Sequence, residues 1–174
     1  MSDEKILHRR AARLAKPIKV EADDGTPALL VRINEQHYAF LLADVRRAAV
    51  VTMVTPLPHV PAVVLGLGIL DGEVHAIFDS RIWSGGARRT QLERIAVLIL
   101  GPSESPLALA VDSLAGSTVL PPRLQRSANA PPWLLGLTDD GVFAVRIAAL
   151  LADPMFTSGN HPIQGAVDDH HEED

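Results

Sequence analysis

The sequence predicts an all-β fold built from two small barrels, and three observations support this. Apolar runs are short, and turn signals recur at intervals of roughly ten residues, as in sandwiches and barrels. The segments GLGILDG at 66–72 and GLTDDG at 136–141 both end in an acidic residue followed by glycine, which suggests a weak internal repeat. Hydrophobic residues make up 47% of the chain but aromatic residues only 4%, so the interior must be filled mainly by Val, Leu, Ile and Ala.

The first half of the chain reads as two hairpins separated by an irregular segment. The runs ALLVRI and YAFLL flank NEQH, which can supply a turn. AAVVTMV is rich in β-branched residues, whereas the prolines of TPLPHVP lack the amide donors that a strand ladder needs. Asp71-Gly72 predicts a type I′ turn, in which both central residues need positive φ, with VHAIF as the returning strand.

The second half repeats this organisation. RIAVLIL, PLALAV and STVL are predicted short strands, and PPRLQRSANAPP is a proline-bounded loop. WLLGLT, DDG and VFAVRI again predict a strand, a turn and a strand. We assign the barrel halves to residues 28–83 and 94–152, and interleaving of their strands remains open. The predicted apolar core contains Leu30, Val31, Phe40, Ile77, Val97, Ile99, Leu109 and Val145.

The two ends of the chain differ from the central segment. Residues 1–23 are predicted to form a short helix and a linker, because Leu7, Ala11 and Leu14 share one helical face. This helix is either solvated or loosely docked, or it binds a partner or a membrane surface, although its apolar stripe is too narrow for firm membrane attachment. The central domain is predicted to span 24–154. Residues 155–174, which end in DDHHEED, are predicted to be a disordered acidic tail.

Composition argues against several classes of function. A net charge of -5 disfavours a nucleic-acid surface, and the lack of cysteine excludes disulfides and thiolate chemistry. No apolar run approaches the roughly 20 residues of a membrane span, and the N-terminus lacks the apolar core of a signal peptide. We expect a cytoplasmic protein that binds no nucleic acid and does not insert into a membrane.

The sequence shows no complete catalytic or metal-binding constellation. Asp79 and Asp112 follow apolar strands in AIFDS and ALAVDS, and a pair of carboxylates can perform acid–base chemistry or ligate a metal. An aspartate at a strand end more commonly caps the next turn through its side-chain oxygen. We therefore favour capping, keep a metal-dependent hydrolase as the alternative, and expect no cofactor.

An ordered set of short motifs resembles the CheW family of chemotaxis coupling proteins. In the first half the set comprises Tyr38, Val45, the turn at 61–66, Ile69-Leu70-Asp71-Gly72 and Asp79-Ser80-Arg81. Val111, Asp112 and Leu114 resemble the family's second half, so that the resemblance covers residues 28–152. It implies two five-stranded SH3-like barrels packed around a shared hydrophobic core, and no enzymatic activity.

The resemblance also implies partners and a binding surface. Family members bridge the regulatory domain of the histidine kinase CheA and the cytoplasmic tips of chemoreceptors, and the receptor's helical hairpin lies along the groove between the barrels. By motif position, Val45, Gly66, Asp71 and Gly72 would face this groove. Ile69 and Leu70 complete the predicted partner-binding set. Because the kinase carries a similar domain, contacts with it, or with other CheW-like domains, would be barrel to barrel.

Asp71 is the main departure from the family pattern. Where the family has Asn-Leu-Arg-Gly, this chain has Ile-Leu-Asp-Gly, so the receptor-facing turn carries the opposite charge. Gly72 still permits the positive φ of the turn. The resemblance thus implies an adaptor that joins the kinase to chemoreceptors. The alternative is a scaffold in a non-flagellar pathway that binds the kinase or another CheW-like domain but not ordinary receptors.

Overall fold

The chain forms two five-stranded units. The computed structural model describes residues 25–157. Its ten strands are β1 (Thr26–Ile33), β2 (Gln36–Leu41), β3 (Val45–Thr55), β4 (Val64–Leu70), β5 (Glu73–Asp79), β6 (Glu93–Leu100), β7 (Leu107–Val111), β8 (Ser113–Leu120), β9 (Leu134–Leu137) and β10 (Phe143–Val145). The order β3-β4-β5-β7-β6 closes into a barrel, and the order β8-β1-β2-β10-β9 forms the second sheet. The predicted all-β class with two five-stranded units is therefore confirmed.

The barrel is contiguous in sequence, whereas the sheet is assembled from strands on both sides of it. β1 pairs antiparallel with β8, with Thr26 opposite Leu120, and β10 lies parallel to β2, with Phe143 opposite Tyr38. The structural units are thus not the consecutive segments 28–83 and 94–152, and the interleaved alternative is correct. An alternating pattern predicts that a strand forms, but it does not specify the strand's partner.

A small apolar cluster lies within the sheet, and the rest of the core consists of a large cluster shared by both units and a second cluster inside the barrel. β6 contributes to both because it is buried on both faces. Leu98 and Leu100 lie in the shared cluster, whereas Val97 and Ile99 fill the barrel interior. Successive side chains of a strand point to opposite faces, so one strand can supply two cores.

Seven of the eight predicted core residues are buried. The shared cluster contains Val31, Phe40, Leu109 and Val145. Ile77 joins Val97 and Ile99 in the barrel interior, so the predicted single core was too simple for these three residues. Leu30 is only partly buried, against a small cluster within the sheet.

Both first-half hairpin turns have the backbone conformation that their positions require. Asn34 and Glu35, between β1 and β2, have φ of 48° and 68°. Asp71 and Gly72, between β4 and β5, have φ of 50° and 85°. Positive φ at both central residues is the mark of the type I′ turn, which confirms the prediction for Asp71-Gly72.

Short helices complete the fold, and the last of them corrects the predicted start of the tail. They are a 3-10 helix (Leu42–Asp44), α1 (Ser80–Trp83), α2 (Ile147–Leu151) and α3 (Pro154–Thr157). Phe156 in α3 is buried, and its ring meets Phe78 edge to face with centroids 5.6 Å apart. The disordered tail therefore does not begin at residue 155, because burial of a phenylalanine side chain stabilises this helix on the core.

The predicted N-terminal helix within 1–23 and the rest of the predicted tail lie outside the described residues. Within residues 25–157, no helix is long and apolar enough to cross a membrane.

Candidate functional site

Three of the six predicted partner-binding residues lie together at the tip of the β4–β5 hairpin. Asp71 and Gly72 form the exposed turn, and Ile69, two residues before Asp71, has 66% of its surface exposed. Val74 lies opposite Ile69 on β5 and is 64% exposed. Two large aliphatic side chains are thus presented side by side to solvent, beside a charged turn. Exposed apolar groups rimmed by polar residues are typical of protein-interaction sites.

Asp71 forms an ion pair with Arg47, which lies near the start of β3. Both side chains are at least half exposed, Arg47 at 50% and Asp71 at 72%. The negative charge at the turn is therefore compensated within the same surface. Nothing in the local sequence pattern indicates that β3 and the hairpin tip meet, so Arg47 could not be predicted as the partner of Asp71.

Gly66 and Leu70 are buried, Leu70 next to the turn and Gly66 near the start of β4. Gly66 has φ of 150°, and a Cβ there would lie 2.0 Å from the carbonyl oxygen of Thr55. Only glycine allows β4 to pass so close to the end of β3. Leu70 points into the barrel interior with the cluster that includes Ile99. Both side-chain positions are buried in the chain without a partner, and their role in partner binding stays a prediction.

Val45 lies away from the hairpin tip, at the first position of β3. It is partly buried and packs against the apolar cluster that the two units share. Val45 is therefore separate from the exposed hairpin tip but belongs to the same barrel.

The two aspartates singled out in the sequence belong to a charge network rather than to a catalytic pair. Asp79 is fully buried, and its Oδ1 accepts a hydrogen bond from the backbone N–H of Arg81 (3.1 Å), which caps α1. Its Oδ2 accepts from the backbone N–H of Arg89 (2.7 Å). The capping prediction is confirmed for Asp79.

Asp112 has a different role from the predicted cap. It lies between β7 and β8, where the chain passes from the barrel to the sheet. Its Oδ1 accepts from Arg81 Nε (2.7 Å) and Arg89 Nη2 (2.8 Å), and its Oδ2 accepts from the backbone N–H of Asn34 (3.0 Å). Its partners thus belong to other segments of the fold, and the prediction that it caps the following turn is wrong.

The environment of Asp112 favours its ionised form. Burial by itself raises the pKa of this carboxyl group. Hydrogen bonds from the Arg81 side chain and the Asn34 backbone, with the charges of Arg89 and Arg81, outweigh that effect and lower the pKa below its ordinary value. Hydrogen bonds to charged groups are stronger than those between neutral groups, so these bonds hold Asp112 firmly against Arg81 and Arg89.

The two carboxylates that the hydrolase alternative required are both engaged in hydrogen bonds within this network. Both oxygens of Asp79 and of Asp112 accept hydrogen bonds from nitrogen donors of the protein. Among residues 25–157, no group of three or more His, Cys, Asp or Glu side chains is arranged to hold a metal ion. No local sequence signal marks Asn34 and Arg89 as donors, because their partners lie far away along the chain.

Comparison with known proteins agrees with this architecture. A family model described as CheW-like domain matches residues 27–154. The chain is also similar to the crystal structure of the scaffolding protein TtCheW from Thermoanaerobacter tengcongensis, with a TM-score of 0.57 and 15% identity. This similarity covers 70% of the present chain and 89% of that chain, and at such identity it supports the fold. None of the curated proteins matches.

Proposed function

Since this chain belongs to the CheW-like domain family of chemotaxis-type adaptors, we propose that it couples a CheA-type histidine kinase to chemoreceptors. In this role it works in the cytoplasm without a cofactor and without catalysis. The family match over residues 27–154, which includes both five-stranded units, is the observation that carries the proposal.

The β4–β5 hairpin tip is the proposed partner-binding surface. Ile69, Asp71 and Gly72 are exposed there, and Val74 extends the apolar part of the surface. Exposed aliphatic side chains supply burial on binding, while the charged turn selects among partners. Val45, which packs between the units, is proposed to support the groove that receives the receptor hairpin.

A second candidate function is favoured by the charge at the turn. A chain with Asp71 where the family has arginine could bind the kinase regulatory domain, or another CheW-like domain, and reject ordinary receptor tips. Like charges brought together across an interface disfavour a partner. Such a protein would act as a scaffold in a non-flagellar pathway.

Titration of the natural chain against two partners separates these functions. The partners are a kinase regulatory domain and a soluble chemoreceptor hairpin, and affinities are measured by calorimetry. Binding of both, with a three-component complex in gel filtration, supports the coupling adaptor. Kinase binding alone supports the scaffold, and binding of neither partner would show that the proposal is wrong.

A variant of the hairpin tip tests the proposed surface. Ile69→Ser should weaken binding of at least one partner about tenfold, because the lost apolar contact is worth roughly 1–3 kcal/mol. Val119→Ser is the matched control, since Val119 is also an exposed aliphatic residue but lies on β8 of the sheet. Equal effects of the two substitutions would contradict the assignment of the surface to the hairpin tip.

A further inference from the structure

Asn34 connects the sheet to the barrel through its backbone and its side chain. It lies in the β1–β2 turn, and its backbone N–H donates to Asp112 Oδ2 (3.0 Å). Its Nδ2 donates to the carbonyl oxygen of Arg81 (3.1 Å) and to Ser84 Oγ (2.7 Å), at and just after α1. The β1–β2 turn of the sheet is thereby hydrogen-bonded to the segment that follows the barrel strand β5 and to Asp112, which follows β7. We call Asn34 and these three partners the latch.

The barrel side of the latch is shaped around this side chain. A Cβ on Gly86 would lie 2.1 Å from Asn34 Nδ2, and its three nearest neighbours would all be atoms of the Asn34 side chain. Gly86 is not among the residues with positive φ, so its backbone does not require glycine. A side chain at position 86 would therefore have to displace the amide of Asn34.

Asp112 holds the same hairpin from a second direction. Its backbone N–H donates to the carbonyl oxygen of Arg32 (3.0 Å), two residues before Asn34. Its carboxylate is itself held by Arg81 and Arg89, whose backbone N–H groups bind the buried Asp79. The hairpin is therefore bonded to groups that are themselves hydrogen-bonded, through Arg81 and Arg89, to the buried Asp79 at the end of β5.

Hydrogen bonds of this kind can fix the orientation of the two units, which the apolar core between them cannot do. Burial of apolar surface is non-directional and tolerates small rotations, whereas hydrogen bonds lose strength steeply with angle. We propose that Asn34 and Asp112 are positioning residues that fix the orientation of the sheet against the barrel, and through it the shape of the groove between them. The part that concerns a groove ligand rests on the proposed function.

A distance measurement tests the latch without any partner. The chain has no cysteine, so spin labels at Thr52→Cys on β3 and Ser117→Cys on β8 report the separation of the units. Asn34→Gly keeps the positive φ and the backbone donor but removes the side chain. Glu35→Gly is the matched control, because Glu35 is the exposed second residue of the same turn.

Asn34→Gly should broaden the distance distribution, and Glu35→Gly should leave it unchanged. Gly86→Ala should also broaden it, by displacing the Asn34 side chain from the barrel side. The double variant Asn34→Gly/Gly86→Ala should be no broader than Asn34→Gly alone, because the three nearest neighbours of the added methyl group are gone. Natural width in both single variants, with cooperative melting retained, would overturn the proposal.

The binding experiment separates a positioning role from general destabilisation. If Asn34→Gly lowers the population of the binding-competent orientation to about one fifth, the apparent affinity of this variant for the receptor hairpin falls about fivefold. Affinity for the kinase domain, which docks barrel to barrel, should change less than about twofold. Equal losses for both partners would overturn the positioning role. If the natural chain binds neither partner, the proposed function fails, and the distance measurement still decides on the latch.

Discussion

A charge swap at Arg47 and Asp71 is the most direct test of how the hairpin tip selects a partner. Because the two residues form an ion pair, Asp71→Arg alone would leave two arginines side by side and confuse partner selection with local repulsion. The double variant Arg47→Asp/Asp71→Arg keeps the ion pair and the net charge. It also restores arginine at the turn position where the family usually carries it.

The magnitudes follow from the exposure of the pair. Exposed ion pairs contribute about 0–1 kcal/mol, and here the side chains are 50% and 72% exposed. Arginine tolerates the positive φ of position 71 less well than aspartate, so the double swap should lower the free energy of unfolding by up to about 1 kcal/mol. A like-charge contact across an interface costs several kcal/mol, part of which Arg47 already offsets in the natural chain. We expect the double swap to bind an acidic receptor hairpin about tenfold more tightly, which corresponds to about 1.4 kcal/mol.

Calorimetric titration of a receptor hairpin into three proteins provides the measurement. Affinity should increase from Arg47→Ala, in which Asp71 is uncompensated, through the natural chain to the double swap. The differences should shrink at high salt, because exposed charges are screened. Tight binding by the natural chain that the swap weakens would show that Asp71 attracts the receptor. Equal affinities of all three would show that the turn lies outside the interface.

Two further predictions concern stability. Phe156→Ala should lower the free energy of unfolding by about 3–5 kcal/mol in urea titration, whereas the neighbouring exposed Met155→Ala should change it by less than about 0.5 kcal/mol; similar small effects would mean that α3 does not pack on the core. Because the pKa of Asp112 is lowered in the folded chain, its contribution is complete above the ordinary aspartate pKa of about 3.9 and is lost as pH falls through the folded value. Asp112→Asn should therefore be less stable at neutral pH and lose less stability on acidification, and an unchanged acid dependence would contradict the network.

Local features of the fold could be predicted from the sequence. The Asp71-Gly72 turn and the β1–β2 hairpin depend on a few adjacent residues, and both form as expected. Burial was also predictable, because β-branched and aliphatic runs such as RIAVLIL have no other stable environment.

Contacts between distant segments could not be predicted in this way. Arg47 and Asp71 meet because the hairpin tip folds against the start of β3, and no periodic pattern encodes that approach. Asn34 contacts Asp112 because β1 and β8 pair in one sheet, and the sequence does not specify that pairing. Phe156 was missed because it follows a proline in a segment that becomes polar, which resembled the beginning of a tail.

The interleaving of the two units has a consequence for synthesis of the chain on a ribosome. The β1–β2 hairpin emerges first, but its neighbours β8 and β10 lie within residues 113–145. At a synthesis rate of about 5–20 residues per second, these neighbours are made several seconds after the hairpin. Meanwhile the barrel strands, all within residues 45–111, have every partner they need. Vectorial synthesis therefore favours closure of the barrel first, with the sheet completed around it by the last strands to appear.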